Sequence, residues 1–205
     1  MIENVLKNLV YLYYPKSISF YSDNEKYLKS KEYFRLNNLI KDFESENKEV
    51  FSKSILKEFE NDITLKDFKD NTLFSWGDRC MTFNIAVVED GELYTVSLLI
   101  SIVIPYYVVR CTKNKIDLLY SKSEIHELNP SNKETRKVPE IIKKIENVVE
   151  DNFFYAKFPD KMVAFVVDDI SFQESGFGHF NLFNAFFNNL IINGNEDKIL
   201  YILNN

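Results

Sequence analysis

Hydrophobic positions along this chain recur first at helical and then at strand spacing. From Glu3 to Tyr13, Val5, Leu6, Leu9, Val10 and Tyr13 fall on one stripe, which predicts an amphipathic helix ended by Pro15. Ser22 and Asp23 offer an N-cap for a second helix running to about Ser45, with Tyr27, Leu28, Leu36, Leu39, Ile40 and Phe43 turned inward. A third helix, from about Lys48 to Glu60, would bury Phe51, Ile55, Leu56 and Phe59.

After residue 70 the period changes. The stretch RCMTFNIAVVEDGELYTVSLLISIVI alternates around Asp90-Gly91, a dipeptide suited to a two-residue hairpin loop because both positions need positive φ. That loop sets Glu89 against Glu92, Val87 against Tyr94, Ile85 against Val96, Phe83 against Leu98 and Met81 against Ile100, all but the first pair apolar. The other face pairs Ala86 with Thr95, Asn84 with Ser97 and Thr82 with Leu99, and is more polar. The second strand is expected to continue past Ile104 to Pro105, which marks an edge or bulge, and to resume in YYVVRC. TKNK then reads as a turn, Ile116 to Tyr120 as a further strand, and EIHELNPSNKETRK as a loop.

Pro139 suits the first turn of a helix in which Val138, Ile141, Ile142, Ile145, Val148 and Val149 face a sheet. KMVAFVVDD reads as a buried strand, His179 to about Leu190 as a helix, and Ile199 to Leu203 as a last strand or docked tail. In that helix Phe180, Phe183, Phe187 and Leu190 form one stripe, widened by Leu182 and Phe186, with Asn181, Asn184, Asn188 and Asn189 opposite. The excess of phenylalanine leaves material for a partly exposed patch. The expected fold is α+β: one domain over 1–205, with a helical part (1–70), then an antiparallel meander and covering helices (71–205).

Composition narrows the function. The chain has 205 residues, 45% of them hydrophobic, enough for a sizeable core. Its net charge of −6 disfavours a nucleic-acid partner, which normally meets a basic surface. Residues 151–205 hold the largest excess of carboxylates. The N-terminus has no signal-peptide pattern, and the apolar run Val96–Val109 is interrupted by Ser97, Ser101 and Pro105 and too short for a membrane helix. The expectation is a cytoplasmic protein with no membrane partner.

Chemistry-bearing residues are sparse. Cys80 and Cys111 form no metal or redox motif, and Cys80 would oppose Ser101, so both are expected reduced and unbridged. Gly176 and Gly178 lack the third glycine of a dinucleotide loop; they suit a tight turn, with His179 or Asn181 capping the helix that follows. Asp168-Asp169, with Glu174, lacks the spacing of a cation loop and reads as a solvated strand end or an acidic contact. Trp76 is expected to pack where the chain enters the sheet, with Asp78 and Arg79 at the surface; its alternative is an interface anchor. No cofactor or metal is expected.

A helical N-terminal part, then WGDRCMTFNIAVV, a strand ending in IPYYVVR, and later FVVDDIS with a glycine turn and HFNLFNAFF, resembles small cytoplasmic immunity proteins of bacterial polymorphic-toxin and contact-delivered effector systems. The likeness spans about residues 72–190 and lies in pattern, without a shared motif. It implies a non-enzymatic inhibitor that binds one cognate toxin domain. Such interfaces are partner-specific, so no residue is carried across. An acidic chain suits a basic, nuclease-like toxin. Candidate contacts are Asp168, Asp169, Glu174, Gly176 and Gly178 in the C-terminal segment, Glu89, Asp90 and Glu92 at the hairpin tip, and Trp76. The alternatives are a structural or adaptor protein of a mobile element, and an enzyme or effector domain using His126 or His179.

Overall fold

The computed structural model describes residues 2–89, 92–113 and 137–189. Helix α1 (Ile2–Tyr13) buries Leu6 and Val10. The single helix expected from Ser22 to Ser45 is instead α2 (Asn24–Leu28) and α3 (Lys31–Asp42). Ser30 is the reason: its hydroxyl accepts the Tyr33 N–H at 3.2 Å and starts a new helix. Asp23 makes no side-chain cap; its carboxylate accepts the Ser19 N–H and the Ser22 hydroxyl instead. A π-helical turn, Phe43–Asn47, joins α3 to α4 (Lys48–Glu60), which buries Ile55 and Phe59 as expected.

The sheet has strands β1 (Lys69–Asp70), β2 (Cys80–Glu89), β3 (Glu92–Ser101), β4 (Tyr106–Lys113) and β5 (Ala156–Lys157), in that order. The β2–β3 register is the one the loop dictates, from Glu89 opposite Glu92 to Cys80 opposite Ser101. Its apolar face is buried throughout except for the half-buried Tyr94.

Two expectations for the sheet are corrected. The second strand does not run on through Ile104. The Ser101 hydroxyl accepts the N–H groups of Val103 and Ile104, at 3.1 and 3.3 Å, and Pro105 has no N–H to give; the chain turns there and β4 returns antiparallel beside β3. The sheet is also mixed, because helix α5 (Val138–Phe153) carries the chain across it and β5 joins β4 in parallel. The strand expected at Ile116–Tyr120, the loop after it and the tail at Ile199–Leu203 lie outside the described residues.

Both faces of the sheet carry a core. On one, α4 and α5 cover Met81, Phe83, Ile85, Val96, Leu98 and Ile100; Ile141, Ile145 and Val149 of α5 are buried there. On the other, α1 and the C-terminal segment cover Cys80, Leu99 and Val108 at the end of the hairpin away from its tip. Toward the tip of this face Ala86 is exposed, whereas Leu93 is buried.

The second core explains what happens after Pro159. KMVAFVVDD forms no strand: Asp160–Val163 is a short helix, α6, and Val166 makes one isolated bridge to Asn181. A short all-apolar run has no period to separate a buried strand from a helical turn, and Pro159 starts the turn by accepting the Met162 N–H at 2.8 Å. The last helix, α7, is only Leu182–Phe186, capped by a reciprocal Asn181–Asn184 pair. No phenylalanine patch spills from it: Phe180, Phe183, Phe186 and Phe187 are all fully buried because both sides of α7 face protein. Leu190 lies outside the described residues. Both cysteines are buried and free.

Candidate functional site

The two residues expected at the sheet entrance have exchanged roles. Trp76 is 75% exposed, whereas Arg79 is fully buried. The turn that separates them follows a single 3₁₀ turn, Phe74–Trp76, and reverses at Gly77, whose φ of +79° is left-handed. A Cβ at Gly77 would also meet the end of the flexible Gln173 side chain, which would have to shift; the left-handed φ is what favours glycine here.

Arg79 fastens this turn from inside. One guanidinium nitrogen donates to the Gly77 carbonyl; another donates to the Asn184 carbonyl and, at 2.8 Å, to the Asn189 side-chain oxygen. The Phe172 ring lies 5.3 Å from the guanidinium carbon, close enough for a cation–π contact. The Arg79 backbone N–H donates to the Phe187 carbonyl at 2.7 Å, and its carbonyl accepts the Ile102 N–H at 3.0 Å. Among the described residues no carboxylate forms an ion pair with it, and its Nε has no hydrogen-bond partner there. A desolvated cation held by neutral oxygens is costly unless those bonds are well placed, so the turn, β2 and α7 are tied to one geometry. Burial raises the pKa of the neighbouring Asp78 carboxyl, with the Arg79 charge and the Leu73 backbone N–H pulling the other way. Burial also pushes Tyr14 up to about 12; its hydroxyl donates to the Ala185 carbonyl at 2.8 Å.

The Trp76 turn meets the C-terminal loop. Gln173, at a left-handed φ of +46°, donates from its amide to the Trp76 carbonyl at 3.4 Å. A non-glycine residue held there is locally strained, and such strain gathers where a surface must be presented in one form. Phe172 and Ser175 exchange backbone hydrogen bonds of 2.9 and 3.0 Å, closing a tight turn with Glu174 exposed at its apex. Gly178, at φ +75°, donates to the Asp168 carbonyl at 3.1 Å, which brings exposed Asp168 beside the Gly176–Gly178 turn. Phe177 is 44% exposed and His179 is exposed on the same turn.

The structure thus sets Trp76 against the Phe172–Ser175 turn that carries Glu174, and Asp168 against the Gly176–Gly178 turn that follows it. It sets the other candidates apart. Asp169 is committed to the fold: its carboxylate accepts the Tyr11 hydroxyl at 2.9 Å and its carbonyl the Ser17 N–H at 2.8 Å. Both described hairpin-tip glutamates have partners within the fold. Glu89 accepts the Val138 N–H at 3.1 Å, at the start of α5, and Glu92 pairs with Lys113 at 3.1 Å. The tip also lies about 30 Å from Trp76's end of β2, at the usual rise per residue. Asp90 and His126 lie outside the described residues. Arg79 and Gln173 are the site residues that the chain's pattern does not single out.

Among the described residues no group of three His, Cys, Asp or Glu side chains could hold a metal, and no helix is long and apolar enough to cross a membrane. The fold belongs to the α+β class. Comparison with protein-family models, curated proteins and solved structures finds no match.

Proposed function

We propose that this chain is a non-enzymatic immunity protein that neutralises a cognate bacterial toxin domain by covering it. The observation that carries the reading is Trp76, a large aromatic side chain held out to solvent on a turn whose geometry is locked beneath it. Tryptophan is among the residues that most often anchor interfaces, and anchoring is strongest when the unbound surface is already in its bound shape. Glu174 and Asp168 supply a negative rim, which suits a basic toxin such as a nuclease and would speed the encounter. The pattern-level resemblance to immunity proteins points the same way.

The test is protection of cells that express the toxin encoded beside this gene. Trp76→Ala, and separately Asp168→Lys with Glu174→Lys, should abolish or weaken protection while the purified variants unfold at the wild-type temperature. A His126→Ala, His179→Ala pair should lose protection no further than it loses toxin affinity. Asp169 is left unchanged because Tyr11 depends on it. A histidine pair that still binds the toxin as the wild type does, yet fails to protect, would replace this reading with an enzymatic antidote.

A further inference from the structure

Of the aromatic rings on and beside the Trp76 turn, two already hold a cation. Arg79 lies over Phe172, and Lys48 of α4 lies over Phe74 with its ammonium 5.6 Å from the ring centre. Among the described residues no cation lies over the Trp76 indole, the ring type that attracts one most strongly and the most exposed of the three. The charges beside it have one sign. In residues 71–78 and 170–181 the Asp, Glu, Lys and Arg side chains that reach solvent are Asp78 and Glu174. Glu174 follows Gln173, whose amide donates to the Trp76 carbonyl, and Asp78 lies two residues beyond Trp76. Asp168 and Asp169 have Lys7 of α1 within electrostatic range, so those two carboxylates are partly answered already.

We propose that the toxin group seated on this turn is an arginine side chain, its guanidinium stacked on the Trp76 indole and its N–H groups turned to the Glu174 carboxylate. A guanidinium is planar and more weakly hydrated than an ammonium, so it loses less on leaving water for an aromatic face, and its fork of N–H donors matches a carboxylate. Both backbones are in place before binding. Arg79 fastens the Trp76 turn through the Gly77 carbonyl, and the paired Phe172 and Ser175 hydrogen bonds hold Glu174 at the apex of its own turn. Little ordering then opposes the contact. This assignment rests on the toxin-binding reading above and supplies the chemistry of its central contact.

The test needs no toxin. Tetra-arginine amide is titrated at low salt into isotope-labelled protein, and the indole N–H resonance of the single tryptophan is followed by NMR. This resonance should move and saturate. Tetra-citrulline amide, of the same shape without the charge, should leave it in place, and tetra-lysine amide should bind several-fold more weakly. Glu174→Gln should weaken tetra-arginine binding about threefold. Trp76→Leu keeps an apolar side chain without the π face; followed through the Gly77 amide resonance, it should weaken binding about fivefold at an unchanged unfolding temperature. An indole resonance that tetra-arginine does not move, or that tetra-citrulline or tetra-lysine moves equally well, overturns the proposal, as does wild-type binding by either variant. Failed toxin protection with arginine binding intact would sink the immunity reading and leave an arginine-binding turn with another partner. An unmoved resonance in a protein that still protects would sink the arginine contact alone.

Discussion

Replacing Arg79 tests whether a buried cation holds the Trp76 turn. Its guanidinium makes three side-chain hydrogen bonds, to Gly77, Asn184 and Asn189. A bond to a charged group contributes about 1.5–3 kcal/mol, so the gross gain is several kcal/mol. Against it stands the desolvation of a cation, also several kcal/mol, with no paired carboxylate among the described residues. Arg79→Met keeps most of the volume, removes both terms and strands three acceptors. It should cost about 2 kcal/mol net. Arg79→Ala adds the cavity left by the stem and should cost about 3–5 kcal/mol. Urea unfolding measures both. Trp76 is the only tryptophan, so its fluorescence reports on the turn directly. The indole is already exposed, so its emission colour should barely move; its anisotropy should fall as the turn loosens. An Arg79→Met protein as stable as the wild type, with unchanged anisotropy, would refute the idea that the guanidinium fastens this turn.

The remaining predictions concern the cores and the titrating groups. Phe83→Ala, at a fully buried position, should cost about 3–5 kcal/mol in urea unfolding, whereas Asn84→Ala on the other face should cost well under that. Burial raises Cys80 to about 12 and Cys111 to about 11, so both should resist a thiol reagent in the native state and react fully once unfolded, giving two free thiols without reductant. The folded pKa of Asp78 is raised, so ionising it disfavours the fold. The wild type should therefore gain stability relative to Asp78→Asn as pH falls through the folded pKa toward the ordinary value of 3.8, and the asparagine variant should be at least as stable near neutrality. A stability difference that moves the other way with pH would show that the Arg79 charge outweighs burial.

The parts of this fold that local pattern reveals are those whose cause is local. The Asp90-Gly91 dipeptide and strict alternation specify the β2–β3 pairing residue by residue. Pro139 and the spacing from Val138 to Val149 mark out α5 in the same way. Where the cause lies far along the chain, pattern fails. Nothing near Arg79 announces its burial, because its acceptors at Asn184 and Asn189 are more than a hundred residues away in sequence. An arginine beside an aspartate reads as a surface pair until those oxygens are in place. The Ser101–Pro105 reversal was within reach, because a serine before a proline can gather the intervening N–H groups, but the apolar residues around it suggested one continuous strand. The acidic candidates were legible as residues but not as free groups: Glu89, Glu92 and Asp169 each have a partner that only the fold supplies.

The central claim is that a preformed surface around Trp76 captures a toxin without turnover. The most direct measurement titrates purified protein against the toxin that the proposal calls for, sought first in the neighbouring gene, and follows toxin activity. The account predicts that inhibition is complete at one equivalent of binding sites, and that Trp76→Ala weakens the affinity by about tenfold or more at unchanged fold stability. Complete inhibition at a small fraction of an equivalent, or full wild-type affinity in Trp76→Ala, would contradict it.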